Sequence, residues 1–561
     1  VRVRCGLDVL LDDPAALRGR RIGLVANAAS VTSGLVPALR ALLDADVDVR
    51  TLFAPEHGFW GAAQDLEPVR GERAGVPVVS LYGERFEDLA PRPEHLQGLD
   101  AVVCDLPDVG SRYYTFVWTT ALVMKACAAR GVPVFVLDRP NPLGGEAMEG
   151  NVPEPALLSF VGLHPVPVRH GMTPGELARH VNESASLGCD LTVIALEGGG
   201  RRAARAALAG EDGPWVLPSP NMPARETAFV YPGACLVEGT NLSEGRGTTR
   251  PFELVGAPWL DAEAAADAAN ALELPGVVFR PHAFRPTFQK HAGALCGGVQ
   301  IHVVDRARFR PFETGLRLVK ALRDLDPTSF RWRTERYEYR EDVPAIDLLA
   351  GTQTFRELVD AGSPLDEWIA SFADDLARFA PLRERALLYR ERPRAFQLVG
   401  AHESGKTTLM VKLLEALASK GWRVGSVKET HHEYDTDVPG KDSQRHGAAG
   451  ANPAVLVAGR RVAVHRRGDD APTLASLLGD ELAFCDVVLV EGFRRERLPK
   501  LEVVRAATGR TPVALGDPTV VAVAADAATS HAPELPRFAL DDVSGILAFV
   551  ETALGLSKGN A

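Results

Sequence analysis

Short apolar runs alternating with helical patterns dominate residues 20–140. Arg21-Ile-Gly-Leu-Val-Ala26, Val47-Asp-Val-Arg-Thr-Leu-Phe53, Ala101-Val-Val-Cys-Asp105 and Val132-Pro-Val-Phe-Val-Leu137 read as strands, being short and rich in β-branched residues. Strands separated by helical stretches predict βαβ units and a parallel sheet covered on both faces. No G-x-G-x-x-G follows the first strand, so this Rossmann-like order does not by itself imply a dinucleotide. From 150 to 390 the pattern mixes strands such as Val299-Gln-Ile-His-Val-Val304 with helices such as Phe312-Glu-Thr-Gly-Leu-Arg-Leu-Val-Lys-Ala321. That stretch is expected to form an α+β subdomain. A break falls near Glu391-Arg-Pro-Arg394, after which Ala395-Phe-Gln-Leu-Val399 reads as a new buried strand. The expected organisation is therefore a first domain over 1–390, with a Rossmann-like part at 1–150 and an α+β part at 151–390. A second α/β domain of the P-loop NTPase class is expected over 394–558.

Composition narrows the function classes. With 561 residues, 46% hydrophobic and 24% charged, the chain reads as a multidomain globular protein. A net charge of −11 argues against a large nucleic-acid surface, which needs clustered Lys and Arg. No apolar run reaches the length of a membrane span. The seven cysteines form no C-x-x-C pair, so neither a disulfide framework nor a structural zinc site is indicated. The stretch Val1-Arg-Val-Arg-Cys-Gly-Leu-Asp lacks the long apolar core of a secretion signal. A cytoplasmic location is expected.

The strongest chemical signal is Gly400-Ala-His-Glu-Ser404-Gly405-Lys406-Thr407-Thr408. It matches G-x-x-x-x-G-K-T/S between a strand and the helical pattern Leu409–Ala418, the context a phosphate-binding loop requires. Gly400 and Gly405 let backbone N–H groups cradle phosphate oxygens at a helix N-terminus. Lys406 would reach the β/γ-phosphates, and the Thr407 hydroxyl would ligate magnesium. Cys485-Asp-Val-Val-Leu-Val490-Glu491-Gly-Phe493 is an apolar strand ending in a carboxylate. Glu491 there suits a magnesium shell. Between these lies the polar stretch Glu429–Arg445, which either supplies phosphate and metal contacts or is a solvated surface loop. No guanine-reading N-K-x-D sequence is present.

Together with Thr430-His431-His432, Asp435-x-Asp437-x-Pro439-Gly440-Lys441-Asp442-Ser443, Val490–Phe493 and Pro499-Lys500-x-Glu502-Val503, this half resembles the MobB family. The resemblance covers about 394–555. It implies a GTP-binding adaptor with weak GTPase activity, while the residues themselves point to a magnesium site at Thr407, Asp437 and Glu491. It also implies a homodimer formed through this domain, working beside the guanylyltransferase that joins GMP to molybdopterin. Glu429 departs from the family, which usually carries His there.

In the first half, polar residues gather after the strands, where ligands bind in open parallel sheets. These are Glu56-His57-Gly58-Phe-Trp60, Asp105-Leu-Pro-Asp108-Val-Gly110-Ser-Arg112-Tyr113-Tyr114-Thr115, Asp138-Arg139-Pro-Asn141 and Glu238–Thr249. One carboxyl acid, one carboxylate and aromatic rings for sugar faces suit glycoside hydrolysis. Glu56 beside Trp60 is the candidate acid, since an aromatic neighbour desolvates a carboxyl group. Blander readings stand beside this one. Asp138 and Arg139 also fit an ion pair at a strand end, and Asp108 with Arg112 a helix-start cap.

The runs P-E-H-G-F-x-G, D-x-x-D-V-G-x-R-Y-Y-T, L-D-R-P-N-P-L-G-G, P-S-P-N-M-P and E-G-T-N-x-S-E-G-R-G-T-T-x-P-F resemble the NamZ family, as does His291-Ala-Gly293-x-x-Cys296. That resemblance spans about Gly6 to Tyr389. It implies an exo-β-N-acetylmuramidase acting on muropeptide-derived amino sugars. It would place catalytic groups at Glu56, His57, Asp108 and Glu244, with substrate contacts at Arg112, Tyr113, Asn141, Asn241 and Arg246. Pro107 replaces a usual Gln. Two readings from other classes remain open: a non-catalytic sugar-binding or partner-binding first half, and a P-loop kinase in the second.

Overall fold

The computed structural model describes residues 3–56, 58–59, 71–197, 214–389, 393–430, 441–449, 451, 454–458, 461–465, 472–479, 482, 485–508, 514, 516–526 and 534–556. The chain divides into two compact units, Val1–Tyr389 and Arg390–Ala561. No helix among the described residues is long and apolar enough to cross a membrane.

The first unit is built on a seven-stranded sheet. Its strands are β1 (Arg21–Ala26), β2 (Asp48–Ala54), β3 (Gly71–Arg73), β4 (Val76–Ser80), β5 (Ala101–Asp105), β6 (Val134–Leu137) and β7 (Leu191–Ile194). They run in the order β3-β4-β2-β1-β5-β6-β7. All pairs are parallel except β3 with β4 at the edge. Every residue of β5 and β6 is buried, as continuous apolar strands covered on both faces must be. β7 lies beyond residue 150, so a boundary drawn there cuts this sheet. The run Leu-Thr-Val-Ile is too short to announce its partner in sequence; its pairing with β6 is set by the intervening helix Pro174–Ser184. That helix begins at Thr173, whose side chain accepts from the Glu176 N–H while the Glu176 carboxylate reaches back to the Thr173 N–H, a reciprocal cap.

A second, antiparallel sheet follows, ordered β8-β10-β9 from β8 (Leu254–Ala257), β9 (Val277–Phe284) and β10 (Cys296–Val303). The helices Arg225–Ala234, Ala262–Asn270 and Pro311–Leu325 belong to this part. The Tyr389 hydroxyl at the end of the unit donates to Asp138 Oδ2 at 2.7 Å. Asp138 also accepts from Thr173 Oγ1 and the Gly175 N–H, both at 2.8 Å. Arg139 pairs bidentately not with Asp138 but with Asp105 of β5, at 2.6 and 2.8 Å. The strand-end ion pair therefore bridges neighbouring strands, and Asp138 caps the next helix.

The second unit holds a six-stranded parallel sheet ordered β12-β15-β11-β16-β17-β18. Its strands are β11 (Arg394–Gly400), β12 (Val424–Lys428), β15 (Val487–Glu491), β16 (Lys500–Val504), β17 (Val520–Ala525) and β18 (Arg537–Ala539). A separate hairpin pairs β13 (Ala454–Ala458) with β14 (Arg461–His465). The core joins Phe396 and Leu398 of β11, Leu409, Met410, Leu413 and Leu417 of the following helix, and Val487 and Leu489 of β15. This central position puts the turn after β11 at the carboxyl edge of the sheet, where such folds bind ligands. All seven cysteines are free thiols and buried.

Candidate functional site

Glu56 lies two residues beyond the end of β2 and is 7% exposed. Thr115 Oγ1 donates to its Oε2 at 2.6 Å, from the start of the helix Phe116–Ala128 that follows β5. Burial, and after it the Glu56 charge, pushes the Tyr82 phenol far up. Tyr114 and Tyr339 feel Glu56 as well, each raised chiefly by burial. Glu56 thus sits in an aromatic, nearly dry recess formed by the loops after β2, β4 and β5. His57, Trp60 and Asp437 lie outside the described residues.

Asp108 follows β5, and its charge, like that of Glu56, adds to the upward push that burial gives Tyr114. Its side chain is fully buried, and His170 Nε2 stands 3.3 Å from Oδ2. Among the described residues neither Asp108 oxygen has a hydrogen-bond partner of good geometry. His170 Nδ1 accepts the Met172 N–H at 3.2 Å, which leaves Nε2 as the proton-bearing nitrogen facing Asp108. His170 is absent from the sequence-derived set. It lies in Val-Pro-Val-Arg-His-Gly-Met, a stretch with no helix or strand periodicity and no residue spacing that marks it.

Three loops interlock around this pair. Asn141 donates to the Met172 carbonyl at 2.9 Å and accepts the Leu143 N–H at 2.8 Å. Gly110 has φ +78°, and a Cβ there would fall 2.2 Å from Asn141 Oδ1; the D-V-G run needs glycine for that reason. Arg112, expected against substrate, has no exposed surface. Its Nη atoms donate to the carbonyls of Asn151 at 2.7 Å, Val166 at 3.2 Å and Leu349 at 3.1 Å. Tyr113 is also buried, beneath the Arg112 guanidinium at 5.5 Å. Asn241 bridges Ser329 O and the Arg331 N–H, both at 2.9 Å. Arg112, Asn141 and Asn241 each bond internal backbone groups in this structure.

Glu244 is held between two cations. Lys290 Nζ lies 3.0 Å and Arg246 Nε 3.4 Å from its oxygens. Burial alone would raise this carboxyl group, but the two cations hold it below the usual range. Arg246 also pairs with Glu238 at 2.6 Å, and Tyr337 donates to Glu238 at 2.8 Å. A seam of edge-to-face rings, Tyr114–Tyr231–Phe252, runs from the Glu56 recess to Arg246, whose guanidinium lies 5.4 Å from the Phe252 ring.

In the second unit the turn after β11 forms a phosphate cradle. Gly400 and Gly405 have φ +142° and +99°, and a Cβ on Gly400 would stand 2.3 Å from the Val503 carbonyl. Ser404 is fully buried, Thr408 is exposed, and the helix Lys406–Ser419 starts immediately after Gly405. Lys406 Nζ donates to the Ala401 carbonyl at 2.6 Å. Burial lowers its pKa, and Arg494 and Lys428 add to this while Glu491 opposes it. Thr407 Oγ1 donates to both Glu491 oxygens, at 3.2 and 3.0 Å, and Lys428 lies 3.3 Å from the same carboxylate. A hydroxyl and a carboxylate in contact beside a phosphate cradle are the hard oxygen donors that magnesium takes. No cluster of three or more His, Cys, Asp or Glu among the described residues is placed to hold a metal.

Comparison with known proteins follows the same division. The families described as exo-beta-N-acetylmuramidase NamZ, N-terminal and C-terminal, match residues 22–226 and 229–389. Molybdopterin guanine dinucleotide synthesis protein B matches residues 395–526. The peptidoglycan beta-N-acetylmuramidase NamZ of Bacillus subtilis is 43% identical over 395 residues, covering 69% of this chain and 92% of that protein. The molybdopterin-guanine dinucleotide biosynthesis adapter protein of Escherichia coli is 36% identical over 151 residues, covering 26% of this chain and 85% of its own length. A crystal structure of a DUF1343 family protein from Bacteroides fragilis aligns with 32% identity and a TM-score of 0.62, over 70% of this chain and all of that one. The chain belongs to the NamZ exo-β-N-acetylmuramidase family through its first unit and to the MobB family through its second, the two fused in one polypeptide.

Proposed function

We propose that the first unit is a glycoside hydrolase that releases terminal β-N-acetylmuramic acid from peptidoglycan fragments, with Glu56 as its general acid. The observation that carries this is Glu56 in a nearly dry recess, held by Thr115 at 2.6 Å and walled by Tyr82, Tyr114 and Tyr339. The Thr115 hydroxyl orients the carboxyl group, and the rings suit a sugar face. Asp108, backed by His170, is the second carboxylate of the proposed site. The test is turnover of a chromogenic β-N-acetylmuramide beside the β-N-acetylglucosaminide. Hydrolysis of the muramide alone supports the reading; no release from either, by folded protein, defeats it.

For the second unit we propose GTP binding with magnesium, weak GTPase activity, and a homodimeric adaptor role beside a molybdopterin guanylyltransferase. Thr407 and Glu491 would hold the metal, which when bound neutralises phosphate charge. The backbone from Gly400 to Gly405 holds the phosphates, and Lys406 reaches the terminal ones. Titration of the full chain with GTP and ATP tests this reading. Preference for GTP supports it, whereas phosphorylation of a small acceptor would favour a kinase.

A further inference from the structure

The loop after β15 carries a feature that neither the phosphate cradle nor the metal donors account for. Glu491-Gly492-Phe493-Arg494 turns sharply, with φ +101° at Gly492 and +49° at Phe493. A non-glycine residue with positive φ is held there by its surroundings. The surroundings are visible: the Glu429 carboxylate accepts the Phe493 N–H, and the Glu429 N–H donates to the Glu491 carbonyl at 2.8 Å. Lys500, 2% exposed, donates to the Arg494 carbonyl at 3.1 Å while its ammonium pairs with Asp517 at 2.6 Å. Backbone strain and a buried lysine thus fix where Arg494 starts.

Its side chain goes to the cradle. Arg494 Nη2 donates to the Gly400 carbonyl at 3.1 Å, the residue next to Ala401, whose carbonyl Lys406 Nζ contacts at 2.6 Å. Two cations from different loops therefore sit on consecutive carbonyls of one phosphate loop, and the Lys406 ammonium registers the Arg494 charge. Arg494 remains exposed, so its guanidinium keeps donors for a ligand. Phosphate oxygens are better acceptors for a guanidinium than a neutral carbonyl, being charged and bidentate. Arg505 approaches Gly405, with Nη2 3.4 Å from where a Cβ would stand, but Lys406 does not register it among its principal neighbours.

We infer that Arg494 is a specificity-determining contact that reads the terminal phosphate of a bound nucleoside triphosphate, from the same chain as the cradle. This rests on the nucleotide reading above. The cradle's backbone N–H groups serve the α- and β-phosphates that a diphosphate also has, whereas Arg494 joins Lys406 at the terminal group. It therefore separates triphosphate from diphosphate.

The test measures affinities of the full chain for GDP and for a non-hydrolysable β,γ-imido GTP analogue, in wild type, Arg494→Ala and Arg495→Ala. Arg495 is exposed on the same loop and controls for diffuse positive charge. Arg494→Ala should weaken the analogue at least about tenfold and GDP less than about twofold, the expected scale for one charge-assisted contact. Arg495→Ala should leave the ratio of the two affinities unchanged. Equal loss for both nucleotides would mean that Arg494 merely braces the Gly400 carbonyl, and overturns the inference. So does an unchanged ratio in Arg494→Ala, or an equal shift of that ratio in Arg495→Ala. A wild-type chain that binds neither nucleotide would instead defeat the underlying nucleotide reading.

Discussion

His170 Nε2 stands 3.3 Å from Asp108 Oδ2, and neither side chain reaches solvent. Asp108 has no other close donor among the described residues, so the imidazole is what makes its burial tolerable. Removing the donor that faces a buried acceptor costs about 1–3 kcal/mol, and more where the acceptor is charged, because the acceptor is left without a partner. His170→Phe should therefore destabilise the first unit on that scale, while Asp108→Asn with His170→Phe should recover a substantial part. Chemical denaturation of the two single variants and the double variant measures the coupling. Additive losses would mean that the two side chains do not depend on each other.

Buried acids give the first unit a definite pH response. Burial pushes Glu149 up to about 7, against N–H donors from Glu313 and Phe312 and the charge of Arg169. Its Oε1 accepts the Phe312 and Glu313 N–H groups at 2.8 and 3.1 Å, capping the helix Pro311–Leu325. A carboxyl group whose pKa is higher folded than unfolded binds its proton more tightly in the native state. Its contribution is complete below the unfolded value and is lost as pH rises through about 7. Asp138, raised by burial to about 6, acts in the same direction. Glu149→Gln keeps the accepting oxygen and removes the ionisation. Its melting temperature relative to wild type should rise between pH 5 and pH 8, each unit of pKa shift being worth about 1.4 kcal/mol. A difference that stays constant with pH would show that Glu149 does not titrate in this window.

The cradle and the recess differ in how far the sequence discloses them. Gly400, Gly405 and Lys406 act within one turn, so their geometry is encoded locally and is readable from spacing. The runs Arg21–Ala26 and Ala101–Asp105 are likewise strands at the ends expected, because full burial leaves a continuous apolar signature. The recess is different. Motifs name Arg112, Asn141 and Asn241 without saying whether they face a ligand or the backbone, and the fold turns them onto internal carbonyls and N–H groups. His170 reaches Asp108 only because the loop before the helix Pro174–Ser184 folds back across the sheet. A contact between residues so far apart leaves no periodic trace. β7 escaped the first sheet's expected limits for a related reason, its pairing being set by the returning chain.

Lys406 gives the simplest test of the second unit. Lys406→Ala removes the cation at the terminal phosphates, while the backbone of the cradle, set by Gly400 and Gly405, persists. GTP affinity should fall at least tenfold, about 1.4 kcal/mol or more. Sugar release by the first unit should not change. Calorimetric titration of the folded variant reads the first quantity, and unchanged affinity would remove Lys406 from the phosphate site.

Glu56 carries the assignment of the first unit. Glu56→Gln keeps the volume and an oxygen able to accept from Thr115, whose hydroxyl lies at 2.6 Å, but removes the transferable proton. General acid catalysis contributes about 10²–10⁴-fold, so release of N-acetylmuramic acid from an unactivated glycoside should fall by at least about a hundredfold. A nitrophenyl glycoside needs little protonation of its leaving group and should suffer much less. A nucleophile or base at this position predicts a different pattern, with both substrates collapsing together. A purely structural Glu56 predicts a third: a lowered melting temperature with turnover per folded molecule near that of wild type. Wild-type rates for Glu56→Gln on both substrates would end its assignment to catalysis.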